Sequence, residues 1–460
     1  MKKLLLIAGL LVLALAMFTG CGGGGAGAPS EITGRADWSP NDIGDTEISI
    51  RWWGGDARHT AIIEALNIFM ARYENISIDY QYGAFGGYLD QLTMDLGAGT
   101  TPDIVQSNFA WIHAFGLGTN VFLNHRDVDH LLDLSEWTPS LLAYTTTADG
   151  QLAGVPHGIT GRVVVYSTEM MAAHGLSTFP ATFEELIALG ESVAANNATL
   201  DAGANMYPFF PVGNESWDII LFTMLYNETG RGLQLDGEIQ YTVDEVEAMF
   251  ELMGRVIASG ALPTFEQQEA PHDTSNPVWM SGRGGGVFEW VGNIFLAGGN
   301  FLDNDPGIRQ VEGLGIALLP AVTPGGRQNV MQRPSLVHSI SGTTDYPELA
   351  AYLLNFLYTD EDALRAIAHQ FGVPLSRTAA RVATQDDLIW GLQAEGQDLI
   401  GRNVGLMCSF FEDPLLRPER FAAIEAFRTG ASTAREAAER WVNGQQSQLE
   451  LIAALVDLVD

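Results

Sequence analysis

The sequence predicts an α/β protein of two lobes, each built on a mostly parallel sheet flanked by helices. Two observations carry this expectation. Strand-like and helix-like segments alternate from residue 46 onward, an order that builds a parallel sheet with crossover helices. The chain has 460 residues, more than one core of ordinary size organises, so two units are expected.

The elements follow in order. "TEISIRWW" alternates and is rich in β-formers, which predicts a first strand over 46–53. "GGDARHTAIIEALNIFMARYEN" then spaces its apolar residues as a helix does, and "ISIDYQY" is a second strand. "YLDQLTMDLGAG" reads as a helix closed by glycines, and "TPDIVQS" as a third strand. In an open parallel sheet ligands gather beyond the carboxyl ends of the strands, here the loops at 53–58, 83–88 and 107–111. The middle of the chain offers a strong strand over Arg162–Ser167, a helix announced by Pro180 and Thr182, and a helix over 243–260 closed by Gly260. "GRGGGVFEWVGNIF" is a glycine-flanked strand ending at Trp290. A strand "LGIALLPAV", the turn "TPGG", a helix pair over 346–372 and a long amphipathic helix over 433–460 complete the chain.

Composition removes whole classes of function. The net charge is -33, and both lysines lie at positions 2 and 3. A chain that loses those two residues keeps 21 Arg, no Lys and a net charge of -35. Such a surface repels phosphate polymers, so nucleic acid is excluded as a partner. Without lysine there is no P-loop lysine, Schiff-base lysine or Ser-x-x-Lys pair. No cofactor is expected. "HRDVDH" at 125–130 reads as a solvated turn rather than a metal or kinase motif, because no Gly-rich loop or lysine accompanies it. "DNDPGIRQVEGLG" resembles a calcium loop, but its glycine falls at the fifth position and Leu314 stands where a bidentate Glu belongs, so no metal site is expected.

The first residues read as a secretory signal: Lys2 and Lys3 precede an uncharged apolar run too short for a bilayer crossing. Thr19-Gly20-Cys21 resembles a bacterial lipobox, with Phe18 departing from the usual Leu. This predicts a signal peptide over 1–20, a lipidated Cys21 and a flexible tether over 21–44. The product is extracytoplasmic and anchored to the cell membrane, firmly only if Cys21 carries several acyl chains. Cys408 then has no partner and is expected to be buried as a small apolar residue.

The blocks "IRWWGGDARHTAIIEALNIFMARYENISIDYQY", "TPDIVQSN", "LLDLSEW", "LAGVPHGITGRVVVYSTEMMAAHGL", "ATFEELIAL", "GGGVFEWVGNI", "GIALLPAVTPGGR" and "PELAAYLLNFLYTDEDALRAIAHQFGVPLS" together resemble the extracellular solute-binding proteins of carbohydrate ABC importers, the maltose-binding-protein relatives. The resemblance runs through nearly all of the chain beyond the signal. It implies a periplasmic-binding-protein-like fold of type II, a sugar held between the lobes, ABC permease subunits as partners and a monomer. It also implies a chain that crosses between lobes more than once, with one lobe at 45–137 plus 312–358 and the other at 138–311 plus 359–460.

A sugar presents apolar C–H faces and a rim of hydroxyls, so its site needs aromatic platforms edged by planar hydrogen-bonding groups. Trp53, Asp56 and Arg58 meet that description after the first strand. Trp52 and Trp53 point oppositely by alternation, and Trp53 is the one expected in the site. Trp290 matches the block that supplies a stacking aromatic in the family, with Asn293 one turn on. Tyr88, Asn108, Trp111, Arg162, Tyr207, Trp217 and Arg333 complete the set, although each taken singly also reads as a packing or surface residue. Two other readings stay open: a receptor for a non-sugar solute such as a polyamine or a metal, and a secreted polysaccharide hydrolase, for which two acids would be needed.

Overall fold

A computed structural model describes residues 32–115, 121–147, 149–211, 213–235, 237–269, 276–294, 313–368, 370–408 and 411–456. Strand β1 (Thr46–Trp53) pairs in parallel with β2 (Ile76–Gly83) and β3 (Ile104–Ser107). The helices Asp56–Arg72 and Tyr88–Ala98 make the two crossovers. The first buries Ile62, Ala65, Leu66 and Phe69, the i, i+3, i+4, i+7 stripe read from the sequence. Glycines with left-handed backbone, Gly87 and Gly99, bound the second.

Two further strands extend this sheet, the first running the other way and the second turning back to the sense of β1–β3. The later strand β10 (Val330–Ile340) is antiparallel to both β3 and β4 (Val155–Thr160). The remaining strands are β5 (Arg162–Ser167), β6 (Gln234–Leu235), β7 (Glu238–Ile239), β8 (Gly286–Trp290), β9 (Leu314–Ala317), β11 (Val373–Pro374) and β12 (Val404–Leu406). The large sheet runs β11-β4-β10-β3-β1-β2, with β12 parallel to the first residues of β10. A second sheet, β8-β5-β9, is antiparallel throughout, and β6 and β7 form a small pair apart. Parallel pairing is thus narrower than expected, because β8, β9 and β10 come back from distant parts of the chain and enter their sheets in the opposite sense.

The chain passes from the large sheet to the small one at Gly161, between β4 and β5. A Cβ there would lie 2.6 Å from Val330 Cγ1, so the crossing demands glycine. Sheet membership puts β4 with β1–β3 although it lies past residue 137, and β9 with β5 although it lies past 311. The segment read as tether is tied to the body at Thr33 and packed from Trp38 on. Thr33 Oγ1 donates to Glu348 Oε1 at 2.6 Å, Trp38 packs 5.9 Å from the Tyr352 ring, and a Ser39–Asp42 capping box closes the turn. Residues 1–31, with Cys21, and the calcium-like stretch up to residue 312 lie outside the described residues.

Among the described residues His125, His157 and His338 are the most deeply enclosed histidines. His125, in the turn expected to be solvated, is fully buried with Nδ1 3.0 Å from both Leu123 O and Leu152 O. On the large sheet His157 and His338 lie 6.0 Å apart, His157 against Phe371 at 3.9 Å and His338 Nδ1 2.9 Å from Tyr358 Oη. Burial pulls the pKa of His125 down to about 4 and that of His338 to about 3. For His157, burial, His338 and Arg58 all act in the same direction. In the unfolded chain these groups titrate near 6.5, so between that pH and their folded values only the unfolded state takes up the proton. Each therefore subtracts about 1.4 kcal/mol of stability per pH unit as pH falls below about 6.5, and nothing above it. His157→Phe is expected to flatten the stability–pH slope between pH 6 and 4.5 by about that amount, as read by urea unfolding. An unchanged slope would contradict the assignment.

Candidate functional site

Beyond the ends of β1 and β2 the side chains form an aromatic group. The Trp53 ring centroid lies 4.7 Å from Tyr88, 5.3 Å from Trp111 and 5.5 Å from Phe85. Trp111 is nearly parallel to Phe85, 13° apart at 6.0 Å. Tyr88 is fixed by its hydroxyl, which donates to Gln106 O at 2.8 Å. Burial raises its pKa. Trp52 and Trp53 do face opposite ways, but both are buried, Trp52 against His59, Tyr80 and Tyr82. Within the group it is Phe85, 51% exposed, that faces solvent.

Arg58 folds back over Gly54, where a Cβ would meet its Cδ at 2.7 Å. Its Nε donates to Gln370 O at 2.9 Å and Nη1 to Trp53 O at 3.3 Å. Among the described residues it forms no ion pair, and burial pulls its pKa down to about 10. Asp56 opens the same helix and is exposed.

A second group joins both sheets. Trp290, at the end of β8, has the guanidinium of Arg162 at 4.7 Å and that of Arg333 at 4.3 Å from its ring centroid. Arg162, the first residue of β5, donates from Nη1 to Ser216 Oγ at 2.7 Å and Phe288 O at 2.9 Å, and from Nη2 to Glu215 Oε1 at 3.0 Å. Arg333 Nε on β10 lies 2.7 Å from Glu412 Oε1. Asn108, after β3, donates to Glu412 Oε2 at 2.9 Å while its Oδ1 accepts from Ala110 N. Arg417 Nη2 is 3.5 Å from Glu215 Oε2. Burial works to raise the Glu215 pKa, but Arg162, Arg417 and Arg333 outweigh it and hold the carboxylate well below its usual range.

Of the residues expected from sequence, Trp53, Tyr88 and Trp111 thus meet in one group, and Asn108, Arg162, Trp290 and Arg333 in the other. Trp217 and Tyr207 do not join them. Trp217 is core, its Nε1 donating to Gln268 Oε1 at 3.1 Å, and Tyr207 packs with Val163, Phe210 and Trp279. Asn293 ends the turn after Trp290, and its side chain is outside what is described. Phe85, Glu215, Glu412 and Arg417 were not read as site residues; "FFEDPLLRPERF", where aromatic, acid and arginine crowd together, is the local signal that points to two of them. Cys408 is partly exposed rather than buried. Among the described residues no group of three His, Cys, Asp or Glu could hold a metal ion, and no helix is long and apolar enough to cross a membrane.

Aromatic faces and planar charged groups are thus drawn from both sheets. The family profile for bacterial extracellular solute-binding proteins matches residues 56–364, and the chain belongs to that family. A Deinococcus radiodurans protein described as a probable ABC transporter-binding protein is 22% identical over 272 residues, 52% of this chain and 62% of that one, so under two thirds of that relative is matched. A periplasmic oligogalacturonide binding protein from Yersinia enterocolitica, in complex with saturated digalacturonic acid, shares the fold at TM-score 0.77 and 24% identity, covering 88% of this chain and 98% of that one. The GacH receptor of Streptomyces glaucescens, solved unliganded and with acarbose, matches at TM-score 0.73 and 15% identity, covering 88% and 98%.

Proposed function

We propose that this protein captures a carbohydrate, an oligosaccharide, by closing its two lobes over it, and delivers it to the permease of an ABC importer. The observation that carries this is Trp290 between Arg162 and Arg333, in a polar network that draws on both sheets. An indole offers a face for sugar C–H groups, and guanidinium and carboxylate groups beside it bond the hydroxyls. The sugar ligands named for the structural neighbours support the same reading. We place the lobe crossings at Gly161 and between β9 and β10, in keeping with sheet membership. Ligand contacts to both lobes would favour the closed form. The protein acts as a monomer, tethered outside the cytoplasm through a lipidated Cys21, and makes or breaks no bond. A polyamine or metal ligand fits poorly, because Arg162, Arg333 and Arg417 repel cations.

A ligand that binds only the folded form raises its melting temperature. The full chain is expected to show such a rise with one class of saccharide, recovered intact, and none with polyamines or divalent metals. A rise with polyamines or metals alone, or release of reducing ends from a glycan, would sink the proposal.

A further inference from the structure

The network around Trp290 has more hydrogen-bond donors than partners for them. Arg162 Nε and Arg417 Nε are buried without a hydrogen bond among the described residues, Arg417 Nη2 has only its 3.5 Å approach to Glu215 Oε2, and Arg333 Nε and Glu412 Oε1, an ion pair at 2.7 Å, each lack one. Arg162 is 8% exposed and Arg333 9%. Three guanidiniums here contact two carboxylates, Glu215 and Glu412. Behind them Arg420 pairs with Asp218, which also acts on Arg417, and Asp413 accepts from Leu415 N. Glu289 adjoins Trp290 but follows strand alternation to the other face of β8, its Oε1 accepting from Trp290 N.

Arginine has five donors and no acceptor, so what completes this site must bring acceptors. A hydroxyl brings a donor with each acceptor and leaves part of the mismatch in place. A carboxylate brings acceptors alone, and in a planar form that guanidinium matches. Buried donors without partners are costly, and a carboxylate would remove that cost. We infer that the ligand is an acidic saccharide, a uronate-bearing oligosaccharide whose carboxylate is received by Arg162, Arg333 and Arg417 beside Trp290. This rests on the carbohydrate reading above and narrows it.

The test changes the ligand before the protein. A panel of uronate oligosaccharides, their methyl esters and neutral oligosaccharides of the same length is titrated calorimetrically into the full chain. The free acid is expected to bind at least about 30-fold more tightly than its ester, the range of a buried charge-assisted contact. The gap should narrow with added salt and shrink several-fold in Arg417→Gln, the free acid losing more affinity than the ester. A merely structural role for Arg417 would lower both affinities together. Neutral saccharides binding as well as the acid would overturn the uronate inference and leave the carbohydrate receptor standing. Binding to no saccharide at all would overturn both.

Discussion

Trp290→Ala is expected to weaken saccharide binding by about 30- to 150-fold, roughly 2–3 kcal/mol. The loss has two parts. The sugar loses an aromatic face, and Arg162 and Arg333, both within 5 Å of the indole centroid, lose the cation–π contact that helps hold them in place. Trp290 is only partly buried, so the variant should fold with modest loss of stability. Trp217→Ala is the control with the opposite signature. That ring is 2% exposed, and its removal should cost about 3–5 kcal/mol of stability through the cavity left behind. Calorimetric titration and urea unfolding on both variants separate the two. If Trp290→Ala binds as the parent does, the indole is no part of the site.

Arg420→Met is expected to cost about 3–5 kcal/mol of stability, among the largest effects of any single substitution. Arg420 and Asp218 are both fully buried. Nε lies 2.9 Å from Asp218 Oδ1, Nη2 3.0 Å from Oδ2, and Nη1 donates to Gln445 Oε1 at 2.9 Å; Nη2 also donates to Phe411 O. These bonds lock the helix Arg417–Arg428 to the helices Gly213–Thr229 and Ala434–Val456. The cost arises because Asp218 stays behind as a buried carboxylate, and burial already raises its pKa with Arg420 in place. The double variant Arg420→Met with Asp218→Leu should therefore recover much of the loss, since an apolar replacement of a whole buried pair is often close to neutral. Urea unfolding of the single and double variants checks this. A single variant that loses under about 1 kcal/mol would show that the pair is not a stability element. The same helices carry Glu215 and Arg417, so the single variant should also bind ligand less tightly.

The parts of the fold that announce themselves locally were legible. β1 alternates cleanly, the helix Asp56–Arg72 keeps its stripe, and Trp290 stands at the end of a glycine-flanked strand. β10 escaped because its sequence, "VMQRPSLVHSI", breaks every local rule for a central strand. Pro334 interrupts it at an irregularity in the pairing with β4. Its polar residues are buried only because distant partners meet them, as Tyr358 does His338 and Glu412 does Arg333. Glu215 and Glu412 were hidden for another reason. In a chain with 56 acids no carboxylate stands out until arginines from other elements converge on it. The extra exposure of Phe85 is likewise a property of the fold, set by a turn that leaves one ring of an aromatic group uncovered.

The central claim is that a saccharide binds between the two sheets and leaves unchanged. Its most direct test is a calorimetric titration of the full chain with uronate and neutral oligosaccharides, followed by mass analysis of the recovered sugar. The account predicts saturable binding of one saccharide per chain, abolished or greatly weakened in Trp290→Ala, with the sugar intact. Heat without saturation, cleaved sugar, or equal binding by Trp290→Ala would contradict it.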